Sequence, residues 1–270
     1  MVRLRSLVLA AIVVFASFIL LASARADDME GMDMGADNSN SGAMGGMGAH
    51  MKMTPHMTMT ELRPATPADT ARGQEIIRTM RDKLAKYEDY KVAIAAGYVP
   101  YMPTIPQDVY HFASRERTAS EYAGDFDLAE PGSLLYEKQT FGGWKLVGAM
   151  YDAPASDTPQ QLDKLIPLGL VRWHAHTNIC LPAGVTLQNV FEGEVHTRPL
   201  ARDFEGIGGG ARRRYGYLAD PRFGFTGTIA DEASCVEVGG NFHKQIFGWM
   251  VHVYPFASED FKVAFSMDAP

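Results

Sequence analysis

Two cysteines, Cys180 and Cys235, are all that the 270 residues contain, too few for a cysteine-built zinc module or a small disulfide scaffold. No Gly-x-Ser-x-Gly elbow and no His-Glu-x-x-His helix occurs, so serine hydrolysis and zincin-type proteolysis lack their usual carriers. Positive charge is in deficit: 25 Lys and Arg stand against 32 Asp and Glu, a formal charge of −7, which argues against nucleic acid as a partner. From Asp27 to Thr60 there is no branched aliphatic residue and no aromatic. Such a segment cannot build a core, and disorder is the expectation for residues 27–60.

The first 26 residues have the layout of a secretory leader. Arg3 and Arg5 precede an apolar run over residues 7–22, short for a bilayer-crossing helix, and Ala24-Arg25-Ala26 fits a cleavage site. Cleavage there removes three arginines and no acid, so the mature charge falls to −10. The expectation is a periplasmic or secreted protein with no stable membrane insertion after cleavage. In an oxidising compartment two cysteines of one domain pair, which predicts a Cys180–Cys235 disulfide.

Residues 61–270 read as a single α+β domain, N-terminal helices packed on an antiparallel, mostly β body. Thr66 with Pro67 signals a helix start, and Ile76, Ile77, Met80, Leu84 and Tyr87 recur at helical spacing. The pattern ends at Gly97, as two helices or one broken near residues 87–89. Residues 134–136 and 144–151, separated by Gly142-Gly143, predict a hairpin. Thr158, Pro159 and Gln161 predict a capped helix. Strands are expected over residues 171–179, 185–191, 223–229, 247–254 and 261–265. The glycines and arginines of residues 203–214 suggest a phosphate loop only superficially, since neither a strand before nor a helical stripe after them is present.

Two features carry chemistry. In the leading segment Met29, Met32, Met34, Met44, Met47, Met51, Met53, Met57 and Met59 stand with His50 and His56, nine of the chain's fifteen methionines in 31 residues. Thioether sulfur is a soft ligand suited to Cu(I), and a pliant segment can wrap such an ion. In the folded part, Trp173-His174-Ala175-His176 places two imidazoles on one face of a strand, and a second strand carries His252 on the face of Met250 and Tyr254. His174, His176 and His252, with His111 as a fourth, make a candidate centre for copper or, alternatively, zinc. His243 and His196 are weaker candidates. Glu137, Asp152, Glu192 and Glu194 are acidic residues that could serve as bases or further ligands.

Two metal architectures fail on the residues present. A cupin strand also opens on His-x-His but expects a glutamate where this chain has Ile179, Cys180 and Leu181. A blue-copper centre needs a thiolate, which a bridged cysteine does not supply.

The blocks AIAAGYVPYMP, VYHF, GSLLYEK, WKLVGAMYDAP, WHAHTNICLP and FGWMVHVYPF resemble those of an uncharacterised group of secreted bacterial proteins, over most of residues 87–256. The resemblance implies one continuous domain with the histidine strands inside it. The Met-rich segment is similar in composition to segments of periplasmic copper-handling proteins. The expected function is extracytoplasmic metal binding, copper binding or tolerance in particular. The alternatives are a metal-dependent enzyme using the histidine cluster and a metal-free binding module.

Overall fold

The computed structural model describes residues 54–101, 107–187 and 220–267, together with the two-residue strands Val195–His196 and Gly216–Tyr217. The expected leader, the methionines before residue 54, Glu192, Glu194 and the glycine-arginine segment lie outside the described residues.

Strand β1 (Met57–Met59) comes first. Helix α1 (Pro67–Leu84) starts at Thr66, whose hydroxyl accepts from the Asp69 amide while the Asp69 carboxylate accepts from the Thr66 amide. Arg63 donates to both Asp69 and Asp163, and the paired guanidinium holds the Asp69 carboxyl well below its ordinary range. The predicted break after α1 is a 3-10 turn, Ala85–Glu88, before α2 (Tyr90–Ala95), and Gly97 follows at a φ of 90°.

Strands β2 (Val99–Pro100) and β3 (Tyr110–Ala113) lead to α3 (Arg115–Tyr122), capped by Ser114. Strands β4 (Ser133–Lys138) and β5 (Trp144–Ala153) form the predicted hairpin, with Gly142 and Gly143 both at a φ of 91° in its turn. Helix α4 (Pro159–Leu165) has the full Thr158/Gln161 capping box. Then come β6 (His174–Leu181), β7 (Val195–His196), β8 (Gly216–Tyr217), α5 (Glu232–Glu237), β9 (Asn241–Val253) and α6 (Phe261–Ala264).

The fold is α+β as the sequence predicts. Seven strands form one antiparallel sheet in the order β1-β6-β9-β5-β4-β3-β2, while β7 and β8 pair separately and parallel. One sheet face, with Tyr110, Phe112, Tyr136, Tyr151, Trp173, Val251 and Val253, packs under Ile76, Met80 and Leu84 of α1 and under Leu162 and Ala264. Those three α1 residues lie one above another at i, i+4 and i+8, so a single stripe enters the core. The tyrosines entering it spend their hydroxyls on carbonyls: Tyr136 donates to Tyr87 at 2.6 Å and Tyr98 to Pro131 at 2.9 Å.

Four sequence expectations are corrected. The segment expected to be disordered to residue 60 already joins the sheet at β1. Thr58 and its neighbours pair with β6, because backbone pairing to an open strand edge needs no aliphatic side chain. Residues 261–265 form the helical turn α6, capped by Asp260, and residues 223–229 make successive turns, with Gly227 placed where a Cβ would stand 2.4 Å from the Arg222 carbonyl. Of the 185–191 strand, residues 185–187 are not extended pairing, and the rest lies outside the described residues.

The predicted disulfide is present. Cys180 on β6 and Cys235 on α5 are bonded, with Cα atoms 5.6 Å apart, and both are buried with Phe223 and Ile229. That bond, and the fact that no helix among the described residues is long and apolar enough to cross a membrane, are compatible with a secreted protein.

Close strand approach is purchased with glycine. A Cβ on Gly148 of β5 would stand 2.2 Å from the Val253 carbonyl, and one on Gly248 of β9 would stand 2.0 Å from the Ala153 carbonyl. Both obstacles are backbone, which cannot swing aside. Gly148→Ala is therefore expected to destabilise the fold by at least about 2 kcal/mol, read as a lower urea midpoint at unchanged slope.

Candidate functional site

The face of the sheet opposite α1 carries the histidines. On β3, Tyr110 and Phe112 enter the core, so His111 between them points the other way. On β9, Val251 and Val253 enter the core and His252 points to the same side as His111. Just before β6, Trp173 is in the core, and His174, the first residue of the strand, is opposite.

His111 and His252 belong to strands three steps apart in the sheet, about 14 Å on a flat sheet at ~4.8 Å per step. Their Nε2 atoms nevertheless lie 3.2 Å apart. Side chains of this length meet across two intervening strands only where the sheet is concave on this face. At 3.2 Å one ring can donate N–H to the bare nitrogen of the other.

His174 completes a group of three rings. Its centroid is 5.2 Å from that of His252, while His111 and His252 are 5.3 Å apart. His111 and His174 are buried at 9 % and 3 % exposure. Part of the His252 surface reaches a narrow cleft shared with Val171, Arg172 and Phe265, though protein surrounds most of the ring. That burial, and then the nearby His174 and His176 rings, hold its basicity well below that of ordinary imidazole, so it is neutral at physiological pH. A neutral imidazole is the form that coordinates metal.

The other predicted ligands fare differently. The His176 ring lies 6.1 Å from that of His174 and packs edge-on against Phe225 at 4.9 Å. His56 is not a free tail ligand: its Nδ1 is 2.9 Å from the Asn178 carbonyl and its Nε2 is 2.7 Å from the Gly227 carbonyl. Each ring nitrogen faces a carbonyl oxygen of the folded body, so the ring is seated against residues 178 and 227 rather than extended with the upstream methionines. His243 stands opposite Ile179 at the far end of β9, nine residues from His252. Glu137 pairs with Lys145 at 3.7 Å. As the side chains stand, no group of three or more His, Cys, Asp or Glu among the described residues is arranged to hold a metal ion.

The register discloses what sequence periodicity alone leaves unpaired. Met59 is directly opposite His174, and His174 is directly opposite Met250; Met57 is opposite His176, and Met150 is opposite His252. Directly opposed residues share a face with Cβ atoms about 5 Å apart. His174, His176 and His252 therefore each have a methionine beside them, while His111 has Leu135. Met150 was not among the sequence candidates. Only its phase in residues 144–151 hinted at it, since Ala149 and Tyr151 are the core positions.

At the next position along this face α3 covers the sheet. Glu121 and Asp152 are each 1 % exposed, and the Asp152 amide donates to Glu121 Oε2 at 2.9 Å while the Tyr122 hydroxyl donates to Asp152 Oδ1 at 3.2 Å. Both carboxyls crowd the bare Cα of Gly132, where a Cβ would stand 2.3 Å from Glu121 and 2.6 Å from Asp152. Burial first, then the neighbouring carboxylate, raises Glu121 well above the ordinary carboxylate range, and burial raises Asp152. A raised folded value contributes stability at pH below that of the unfolded group and loses it as pH climbs through the folded value. Stability should thus decline from mildly acidic to alkaline pH. Glu121→Gln keeps an acceptor for the Asp152 amide and carries no charge. It is expected to flatten that decline and to add about 1–2 kcal/mol near pH 8, read by urea unfolding across the pH range.

No family model, curated protein or solved structure matches this chain.

Proposed function

We propose that the protein is an extracytoplasmic metal-binding protein, periplasmic or secreted, that takes copper at the imidazoles of its concave face. The observation that carries this reading is the 3.2 Å between the His111 and His252 Nε2 atoms. Two imidazoles on one tetrahedral ion, with bonds near 2 Å, place their nitrogens about 3.3 Å apart. For an ion to enter between them, the ring that donates Nε2–H carries its proton on Nδ1 instead, which leaves both Nε2 lone pairs to the metal with each imidazole neutral. His174 reaches the same ion by a turn of its side chain, as its ring is already 5.2 Å from that of His252.

Zinc accepts the same imidazoles, and the preference for copper comes from sulfur: methionines oppose His174, His176 and His252 in register, and seven more stand in residues 27–56 of the sequence. The leader-like first 26 residues and the disulfide support an oxidising compartment. Membership of the secreted bacterial group that the sequence blocks resemble is part of the same proposal.

The test is Cu(II) loading of residues 27–270 followed by electron paramagnetic resonance. Nitrogen coupling from at least two imidazoles, lost in His111→Ala, is the expected result. A spectrum unchanged by that substitution defeats the imidazole centre.

A further inference from the structure

Beyond the imidazole centre, the geometry points to a second, soft site on the same face: Met59, His174 and Met250 form a row that binds a monovalent soft ion, Cu(I), through two thioethers and one imidazole. The three residues lie side by side on β1, β6 and β9, Met59 opposite His174 and His174 opposite Met250. Neighbouring side chains in such a row have Cβ atoms about 5 Å apart, within reach of a methionine's flexible, unbranched chain. Two thioethers and an imidazole with no carboxylate among them are matched to Cu(I), which accepts low coordination, and are poor for zinc and for hard cations.

The location supports cargo traffic. Strand β1 is the edge strand of the sheet, so the row begins at an edge and runs inward. Met59 is partly exposed, while Met250 is 5 % exposed and His174 3 %. The chain entering β1 carries the Met-rich sequence directly upstream. The local backbone also favours the row. Between His174 and His176 the β6–β9 register slips, and Phe247 takes a φ of 67°, so the extra β9 residues are accommodated in a bulge while Met250 stays opposite His174.

This site shares the face and His174 with the His111/His252 centre, and the two are separable by experiment because the thioethers belong to this site alone. Residues 27–270, labelled at the methionine methyl carbons, are titrated with Ag(I), a redox-silent counterpart of Cu(I), and separately with Zn(II). Met59→Leu and Met250→Leu assign the two signals. Both methyl signals are expected to shift with Ag(I) and to stay in place with Zn(II), and the double leucine variant is expected to lose at least tenfold in affinity for Ag(I) at this site while keeping its Zn(II) affinity. The row is overturned if the Met59 and Met250 methyls stay still at saturating Ag(I) while those of methionines before residue 54 move. If Zn(II) binding proves independent of His111 and the two methyls still respond to Ag(I), the imidazole reading falls and the thioether row stands.

Discussion

His111→Ala and His252→Ala are each expected to weaken Zn(II) or Cu(II) binding by about 100-fold, roughly 3 kcal/mol, measured by competition with a chromophoric chelator. The reason is geometric. The two Nε2 atoms stand 3.2 Å apart, so the fold itself orients both rings, and either loss leaves a single imidazole. Because the pair acts as one unit, the double variant should be scarcely worse than either single one, a non-additivity that unrelated surface histidines would not show. His243→Ala is the control, since His243 lies on the same strand but opposite Ile179, away from the pair. Equal losses for His243→Ala and His252→Ala would mean that the ions bind nonspecifically. The Glu121 carboxyl, raised well above the ordinary range by burial, should not substitute as a ligand near neutral pH, because a protonated carboxyl must first give up its proton.

Replacing Cys180 and Cys235 together by alanine is expected to lower stability by about 4 kcal/mol, the chain-entropy value for a loop of this length. The bond spans a sequence separation of 55 residues and ties the end of β6 to α5. Its surroundings add to the effect. Both cysteines are fully buried, Gly240 lies so close that a Cβ there would stand 2.6 Å from Cys180 Sγ, and the pair is packed by Phe223, Ile229 and Phe242. Alanine at both sites leaves small voids as well as a freed loop. Urea unfolding of the variant, compared with the parent before and after reduction, measures the loss. Reduction of the parent should reproduce most of it, and a variant as stable as the oxidised parent would show that packing alone closes the loop.

The helix starts were legible because they are local. Thr66-Pro67 and Thr158-Pro159-Gln161 carry their caps within one turn, and the structure has both capping boxes. The β4–β5 hairpin was legible for the same reason, its two glycines standing next to each other at positive φ. Local signals misled where a short apolar stretch could serve either geometry. Residues 261–265 read as a strand, yet Asp260 caps them into a helical turn, and residues 223–229 are held as turns against the Cys180–Cys235 bond. Strand β1 was unreadable from composition, since Met57-Thr58-Met59 joins the sheet through backbone pairing to β6.

By itself the sequence determined the class of fold, the pairing of its two cysteines, and that His252 shares a strand face with Met250, because caps, glycine turns and a two-residue alternation act within a few residues of their cause. Only the tertiary structure decided which histidines meet. It set His111 against His252 across three strand steps, moved His176 against Phe225, committed His56 to two carbonyls, and laid Met59 and Met250 on either side of His174. Those outcomes depend on strand order, register and sheet curl, which arise from contacts between residues far apart in the chain and leave no local mark for a sequence pattern to show.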